Sequence, residues 1–258
     1  MLRPRIIPCL LMREKGLVKT VKFKESKYIG DPINAVRIFN EKEADELIIL
    51  DIDATSQNYE PDFQMIEKLA SECRMPLCYG GGIKTVEQAL NIFSLGVEKV
   101  ALSSSAVNNP QIVSQIAEKV GSQSVVVVLD VKKKLLGGYE VVTHNGKKYS
   151  GSTPFDLVSK FQKLGAGEIV INSVDRDGTM EGYDLNLVEK IRSKITLPLT
   201  AIGGAGNLDD IGDLISSFKI IGASAGSLFV YKGKYKAVLI NYPSSEIKES
   251  LIKKSTSY

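Results

Sequence analysis

One phrase occurs twice in this chain, and the repeat limits the fold more than any other feature. Pro76-Leu77-Cys78-Tyr79-Gly80-Gly81-Gly82-Ile83 reads as a short buried strand ending in a glycine turn. Pro198-Leu199-Thr200-Ala201-Ile202-Gly203-Gly204-Ala205-Gly206 says nearly the same thing 122 residues on, counted from Gly81 to Gly203. Each copy is followed by a helical pattern, another apolar strand and a turn of small residues. The first turn is Ser103-Ser104-Ser105-Ala106 and the second is Ser224-Ala225-Gly226-Ser227. A repeat of about half the chain is a fold-level signal. Glycine suits a strand-to-helix turn because it alone adopts positive φ cheaply. Without a Cβ it also lets a ligand approach backbone N–H groups, which favour a phosphate. Two copies suggest two phosphates on one ligand; the structural alternative is a pair of tight turns.

The spacing predicts eight strands: Arg5–Leu11, Glu46–Asp51, 76–79, Lys99–Leu102, Ser124–Asp130, Glu168–Ile171, Leu197–Ala201 and Ile220–Ser224. Helical patterns separate them, several opened by a cap residue and proline, as at Asp31-Pro32 and Thr153-Pro154. The strands are near-continuous apolar runs, as in a parallel sheet buried on both faces. With 258 residues and 43% apolar content, the expected architecture is α/β: a single (β/α)8 TIM barrel over 1–258. Its half-repeats run over roughly 1–121 and 122–240, with a C-terminal helix and tail at 241–258. An open doubly wound sheet is the alternative, but two four-strand halves close naturally into a ring. Residues 13–30 are expected to be a long loop. Residues 131–150, around Gly137-Gly138 and Asn145-Gly146, are expected to hold hairpin insertions.

In such a barrel the chemistry lies where strands end. Those ends are Leu11, Asp51 with Asp53, Gly81-Gly82, Ser103-Ser104, Asp130, Asn172 to Asp177, Gly203-Gly204 and Gly226-Ser227. Carboxylates there can move protons, bind sugar hydroxyls or hold loops. Asp130 is the candidate for proton transfer; for Asp51 and Asp177 hydroxyl binding or loop support stands equally beside it. Lys19, in the long loop after strand one, is a candidate to close over an anionic substrate, with a solvated surface lysine as the equal alternative. The balance of 33 basic and 30 acidic residues leaves +3, which gives no strong field for nucleic acid or membrane. Lys132-Lys133-Lys134 reads as a solvated loop. Three cysteines without metal spacing, and His144 as the sole histidine, argue against a metal site or a histidine-centred triad. Cys9 and Cys78 read as core thiols. The odd cysteine count and the lack of a signal-type segment or long apolar run suggest a reducing cytoplasm.

These motifs are recognisable together. Arg5-Ile6-Ile7-Pro8-Cys9-Leu10, Gly30-Asp31-Pro32, Gly80-Gly81-Gly82-Ile83, Gly165-Ala166-Gly167-Glu168-Ile169, Asp175-Arg176-Asp177-Gly178-Thr179 and Gly203-Gly204-Ala205-Gly206 carry the likeness. On them the chain resembles the cyclase subunit of imidazole glycerol phosphate synthase, HisF, over essentially its whole length. The resemblance implies a lyase-type subunit of a glutamine amidotransferase, used in histidine biosynthesis. It implies a heterodimer with a HisH-like glutaminase, ammonia as co-substrate and no other cofactor. It implies that Gly82 and Ser104 hold one phosphate, with Gly178, Gly204, Gly226 and Ser227 at the other. It also implies an ammonia gate at the bottom of the barrel, formed by Arg5, Glu46, Lys99 and Glu168. An ordinary ion-pair ring is the structural alternative for those four.

One departure matters. The family uses aspartates after strands one and five; Asp130 matches the second, but the first position is Leu11. Leucine cannot transfer a proton. Ser103-Ser104 also stands where the family usually has Asn-Thr. The chain therefore resembles a paralogous branch associated with surface-polysaccharide biosynthesis, in which a sugar acetamido group becomes acetamidino. The alternatives are the histidine-pathway cyclase itself and a non-catalytic phosphate-binding barrel.

Overall fold

The computed structural model describes residues 3–256; residues 1, 2, 257 and 258 of the expected span lie outside the described residues. Eight parallel strands form a closed ring: β1 (Arg5–Arg13), β2 (Leu47–Asp51), β3 (Leu77–Gly80), β4 (Lys99–Leu102), β5 (Val125–Lys133), β6 (Glu168–Ser173), β7 (Leu199–Ile202) and β8 (Gly222–Ala225). Each strand pairs with its sequence neighbour, and β1 pairs with β8 through Arg5↔Gly222 and Ile7↔Ser224, which closes the barrel. With eight strands in that order, β1 lies across the ring from β5, and β3–β4 across from β7–β8.

Helices alternate with the strands outside the ring: α1 (Pro32–Glu41), α2 (Phe63–Glu72), α3 (Val86–Ser94), α4 (Gln111–Val120), α5 (Pro154–Lys163), α6 (Leu185–Arg192), α7 (Leu208–Phe218) and α8 (Ser245–Thr256). Their starts follow the cap chemistry in the sequence. Asp31 accepts from the Asn34 N–H at 2.8 Å and Pro32 takes the first helical position. Thr85 with Gln88, and Asn207 with Asp210, form reciprocal capping boxes. Asn109-Pro110 has the same cap-and-proline form in the sequence, yet α4 opens at Gln111 with no side-chain cap bond. Alternate strand residues feed two cores. Ile6, Leu47, Val100 and Ile169 pack outward on the helices. Ile7, Ile48, Cys78, Val126 and Val170 fill the interior of the ring. Cys9 and Cys78 are buried free thiols there, and burial pushes the Cys9 thiol up to about 12.

Residues 13–30 are not a loop. β1 runs on to Arg13 and turns through Glu14 and Lys15, both in the left-handed region, into a strand at Gly16–Lys19. That strand pairs antiparallel with Lys27–Gly30. The insertion after β5 is hairpin-like as expected, with antiparallel strands Tyr139–Thr143 and Lys148–Tyr149. A small hairpin pairs Tyr231–Lys232 with Ala237–Val238. At the far end α8 packs on α7, and its Lys248 reaches Asp45 at 2.7 Å.

Candidate active site

The C-terminal strand ends surround one cavity, open at its mouth. Its wall includes Leu11, Lys19, Asp51, Asp130 and Asp177. Both glycine turns and both small-residue turns also border it, through Gly81, Gly82, Ser103, Ser104, Gly178, Gly203, Gly204, Gly226 and Ser227. Asp53 and residues 173–176 lie outside this wall, and the other strand-end residues reach one space.

The two sides of the cavity differ in polarity. On β5, Asp130 Oδ1 accepts from Asn172 Nδ2 at 2.9 Å, and Ser103 Oγ lies 3.5 Å from Oδ2. The carboxyl is half-buried in the cavity wall, and this burial raises it from 3.8 to about 7; the Asn172 bond lowers it and the Asp177 charge raises it. Asn172 is itself buried, and its Oδ1 has no hydrogen-bond partner among the described residues. On β1, Leu11 stands in register with Leu50 of β2 and Val18 of the hairpin, inside the interior apolar cluster. The place across the ring from the acid is thus hydrocarbon. No second carboxyl there can share Asp130's proton.

Lys19 is 6% exposed and makes no ion pair among the described residues. Its ammonium lies beside Gly226: a Cβ on that glycine would sit 2.2 Å from Nζ. A buried, unpaired cation is costly unless an anion pairs with it. Asp177 fixes the segment that carries it. Its Oδ2 accepts from Thr20 Oγ1 at 3.0 Å, and its backbone carbonyl accepts from the Lys22 N–H at 2.9 Å. Asp51 likewise holds a loop, accepting from the Asp53 and Ala54 N–H groups at 3.0 and 3.1 Å and from the Tyr59 hydroxyl at 3.0 Å. Burial raises its carboxyl above the ordinary range, against those bonds. Asp53 is committed to Arg13 through two bonds of 2.7 and 3.0 Å.

The glycine turns make the same contact in each half. Gly81 has φ +125°, and a Cβ there would fall 2.5 Å from the Asp51 carbonyl oxygen. Gly203 has φ +97°, and its Cβ would fall 2.7 Å from the Ser173 carbonyl. Only glycine fits such an approach at that φ. One strand later, short helices at Ser104–Asn108 and Ser227–Val230 start without side-chain caps. Their first N–H groups are left for another acceptor. Ser104 Oγ accepts from the His144 N–H at 3.0 Å and keeps its own hydrogen to donate.

The four charged residues meet at the opposite end. Arg5 bonds to both Glu46 and Glu168, the latter at 2.6 Å. Lys99 Nζ bonds to the same two carboxylates at 2.8 and 2.9 Å. Thr200 Oγ1 donates to Glu168 at 2.6 Å. Burial would push the Glu168 carboxyl up, but the Arg5 and Lys99 charges outweigh it and hold the group below the ordinary range. The ring closes the base of the lumen, with the interior apolar cluster above it. Below it lies an open bowl bordered by Arg3, Asp45, Arg192 and Lys248.

Sequence reading named Asn172 as a strand end without giving it a role, and it missed Thr20, Phe23 and Asn145, which also border the cavity. Asn172 left a trace: it is the polar residue ending the apolar run Ile169-Val170-Ile171, and Leu50, four residues past Glu46 as Asn172 is past Glu168, is apolar. Phe23 and Asn145 left none. Among the described residues no group of three or more His, Cys, Asp or Glu side chains converges as metal ligands.

The model of the histidine biosynthesis protein family matches residues 5–236. A Vibrio vulnificus protein with the provisional name imidazole glycerol phosphate synthase subunit hisF3 is 63% identical over 253 residues, covering 97% of each chain. A Pseudomonas aeruginosa protein, provisionally subunit hisF2, is 53% identical over 94% of this chain and 97% of its own. The imidazole glycerol phosphate synthase subunit HisF of Alkaliphilus metalliredigens is 40% identical over 90% of this chain and 92% of its own.

Proposed function

The chain belongs to the histidine biosynthesis protein family as a HisF-type imidazole glycerol phosphate synthase subunit, and from that premise we propose that it is the ammonia-using enzyme of a two-subunit synthase acting on a nucleotide-linked sugar. A HisH-like glutaminase docks in the bowl below the Arg5–Glu46–Lys99–Glu168 ring and releases ammonia there. Ammonia crosses the apolar lumen to the cavity. The substrate's phosphate oxygens take the ammonium of Lys19 and the uncapped N–H groups beside Ser104 and Ser227. The ammonia nitrogen replaces an acetamido oxygen, which leaves as water, and an acetamidino group results. Asp130, poised near neutrality, gives and takes the protons of that exchange. The setting is cytoplasmic, and no helix among the described residues is long and apolar enough to cross a membrane.

One observation carries the reading: Leu11 occupies the place across the ring from Asp130 and packs on Leu50. Cyclisation that needs two acids has lost one, while the cavity, Lys19 and the ring remain. The two relatives reported above half identity carry numbered names, hisF3 and hisF2, as members of a multi-copy set would. Supplying the chain with 15N-ammonium and UDP-linked N-acetylated sugars tests it: 15N in an amidine product is expected. Unlabelled sugars, with the histidine-pathway substrate turned over instead, contradict it.

A second reading is the histidine cyclase itself. The two phosphate-type turns favour it, since β3–β4 and β7–β8 stand on opposite sides of the ring. A nucleotide sugar carries its phosphates side by side and occupies only one of the two fully.

A further inference from the structure

Three hairpins stand on the open rim: residues 14–30 after β1, 131–150 after β5, and 231–239 after β8. Together they hold 13 of the 33 basic residues, all lysine, and three of the 30 acidic ones. The net +3 is thus a rim at +10 set against a remainder at −7. Lys15, Lys133 and Lys134 are taken up in ion pairs with Asp62, Asp184 and Glu140, and Lys19 is buried in the cavity. The other nine form no ion pair among the described residues.

The same hairpins carry most of the exposed large apolar side chains. Leu135 and Leu136, at the tip Lys134-Leu135-Leu136-Gly137, are fully exposed at 106% and 103%. Tyr235, Tyr28 and Tyr149 are exposed at 91%, 65% and 61%. The hairpins adjoin one another. Lys27 Nζ lies 5.5 Å from the centre of the Tyr231 ring, and Phe23 packs toward Gly146. Lysine, tyrosine and aliphatic tips thus form one continuous surface around the cavity mouth.

Exposed apolar side chains on a rim where nine lysines form no ion pair among the described residues match the headgroup layer of a bilayer. Leucine enters the acyl boundary, tyrosine sits at the polar interface, and lysine faces lipid phosphate. Nucleic acid would use the charge but leave the leucines in water. A protein partner would need a separate apolar pocket for each tip. We propose that this rim docks peripherally on an anionic lipid surface, with Leu135 and Leu136 inserted and the unpaired lysines over the lipid phosphates. The −7 remainder is repelled by the same surface, which sets the orientation with the cavity mouth toward lipid.

The test is co-sedimentation of the purified full chain with vesicles of phosphatidylcholine and phosphatidylglycerol at three to one, beside vesicles of phosphatidylcholine alone. The chain is expected to sediment with the anionic vesicles at low salt, to be released by high salt, and to ignore the neutral ones. Leu135→Ser with Leu136→Ser, and separately Lys147→Glu with Lys148→Glu, are each expected to weaken vesicle binding about tenfold or more. Neither pair belongs to the cavity wall, and unchanged melting temperatures establish that the variants are folded. Failure of the chain to sediment, or equal sedimentation of the variants, overturns the proposal and leaves the surface to an acidic protein partner.

Discussion

Asp130 is a half-buried carboxyl beside one amide donor and one distant hydroxyl. Its folded value of about 7 lies above its ordinary 3.8. The fold therefore favours the protonated form. That contribution is complete below the ordinary carboxyl range and is lost as pH rises through about 7. Asp130→Asn should melt higher than the natural chain above about pH 8 and lose that advantage in acid. The same variant should lose a factor of about 10²–10⁴ in ammonium-driven turnover. The natural chain's pH–rate profile should bend near the same value of about 7. Lys19→Met should raise the KM for the phosphorylated substrate about tenfold or more, because it removes a charge-assisted bond from a buried site. Steady-state kinetics separates that from a change in kcat.

Elements decide how these residues meet, and they were legible unevenly. The barrel strands were readable because each is a near-continuous apolar run between cap and glycine signals. Residues 13–30 misled because their turn uses Glu14-Lys15 in the left-handed region, where Asn-Gly is the usual sign. Asn145-Gly146 gave that sign, and that hairpin was anticipated. The bond from Thr20 to Asp177 spans 157 residues, and no local pattern announces it. The C-terminal helix α8 depends on one buried pair. Lys248 Nζ reaches Asp45 at 2.7 Å and the Glu43 carbonyl at 3.0 Å, and Asp45 also accepts from the Ile6 N–H at 2.9 Å. Lys248→Met leaves Asp45 only the exposed Arg3 at 3.5 Å as a cation and should cost about 3 kcal/mol. Chemical denaturation reads the loss, and hydrogen exchange should rise first over 245–256.

At the scale of the whole molecule, the two ends of the barrel do different work. The ring at the base joins β1, β4 and β6 with Glu46 at the foot of β2, and gives each carboxylate two cations. Glu168 has its carboxyl held below the ordinary range, so its stabilisation is present above that range and is lost as pH falls through its folded value. Glu168→Gln should abolish that acid sensitivity. If the ring gates ammonia, glutamine-driven turnover should fall while turnover on added ammonium salt stays. The charge of the rim was hidden in the sequence because a net of +3 averages opposite faces. Only the fold gathers the three hairpins on one side.

On the proposed reading, this barrel keeps the family's cavity and has left the family's cyclisation because Leu11 stands where an acid is needed. Formation of imidazole glycerol phosphate from the histidine-pathway bisphosphate and ammonium salt tests this most directly, with the natural chain run beside Leu11→Asp. The account predicts no product from the natural chain and measurable product from the variant, once its melting curve shows that it is folded. Turnover by the natural chain at about 1 s⁻¹ or faster, within the ordinary range for enzymes, would contradict the account and make Asp130 sufficient alone.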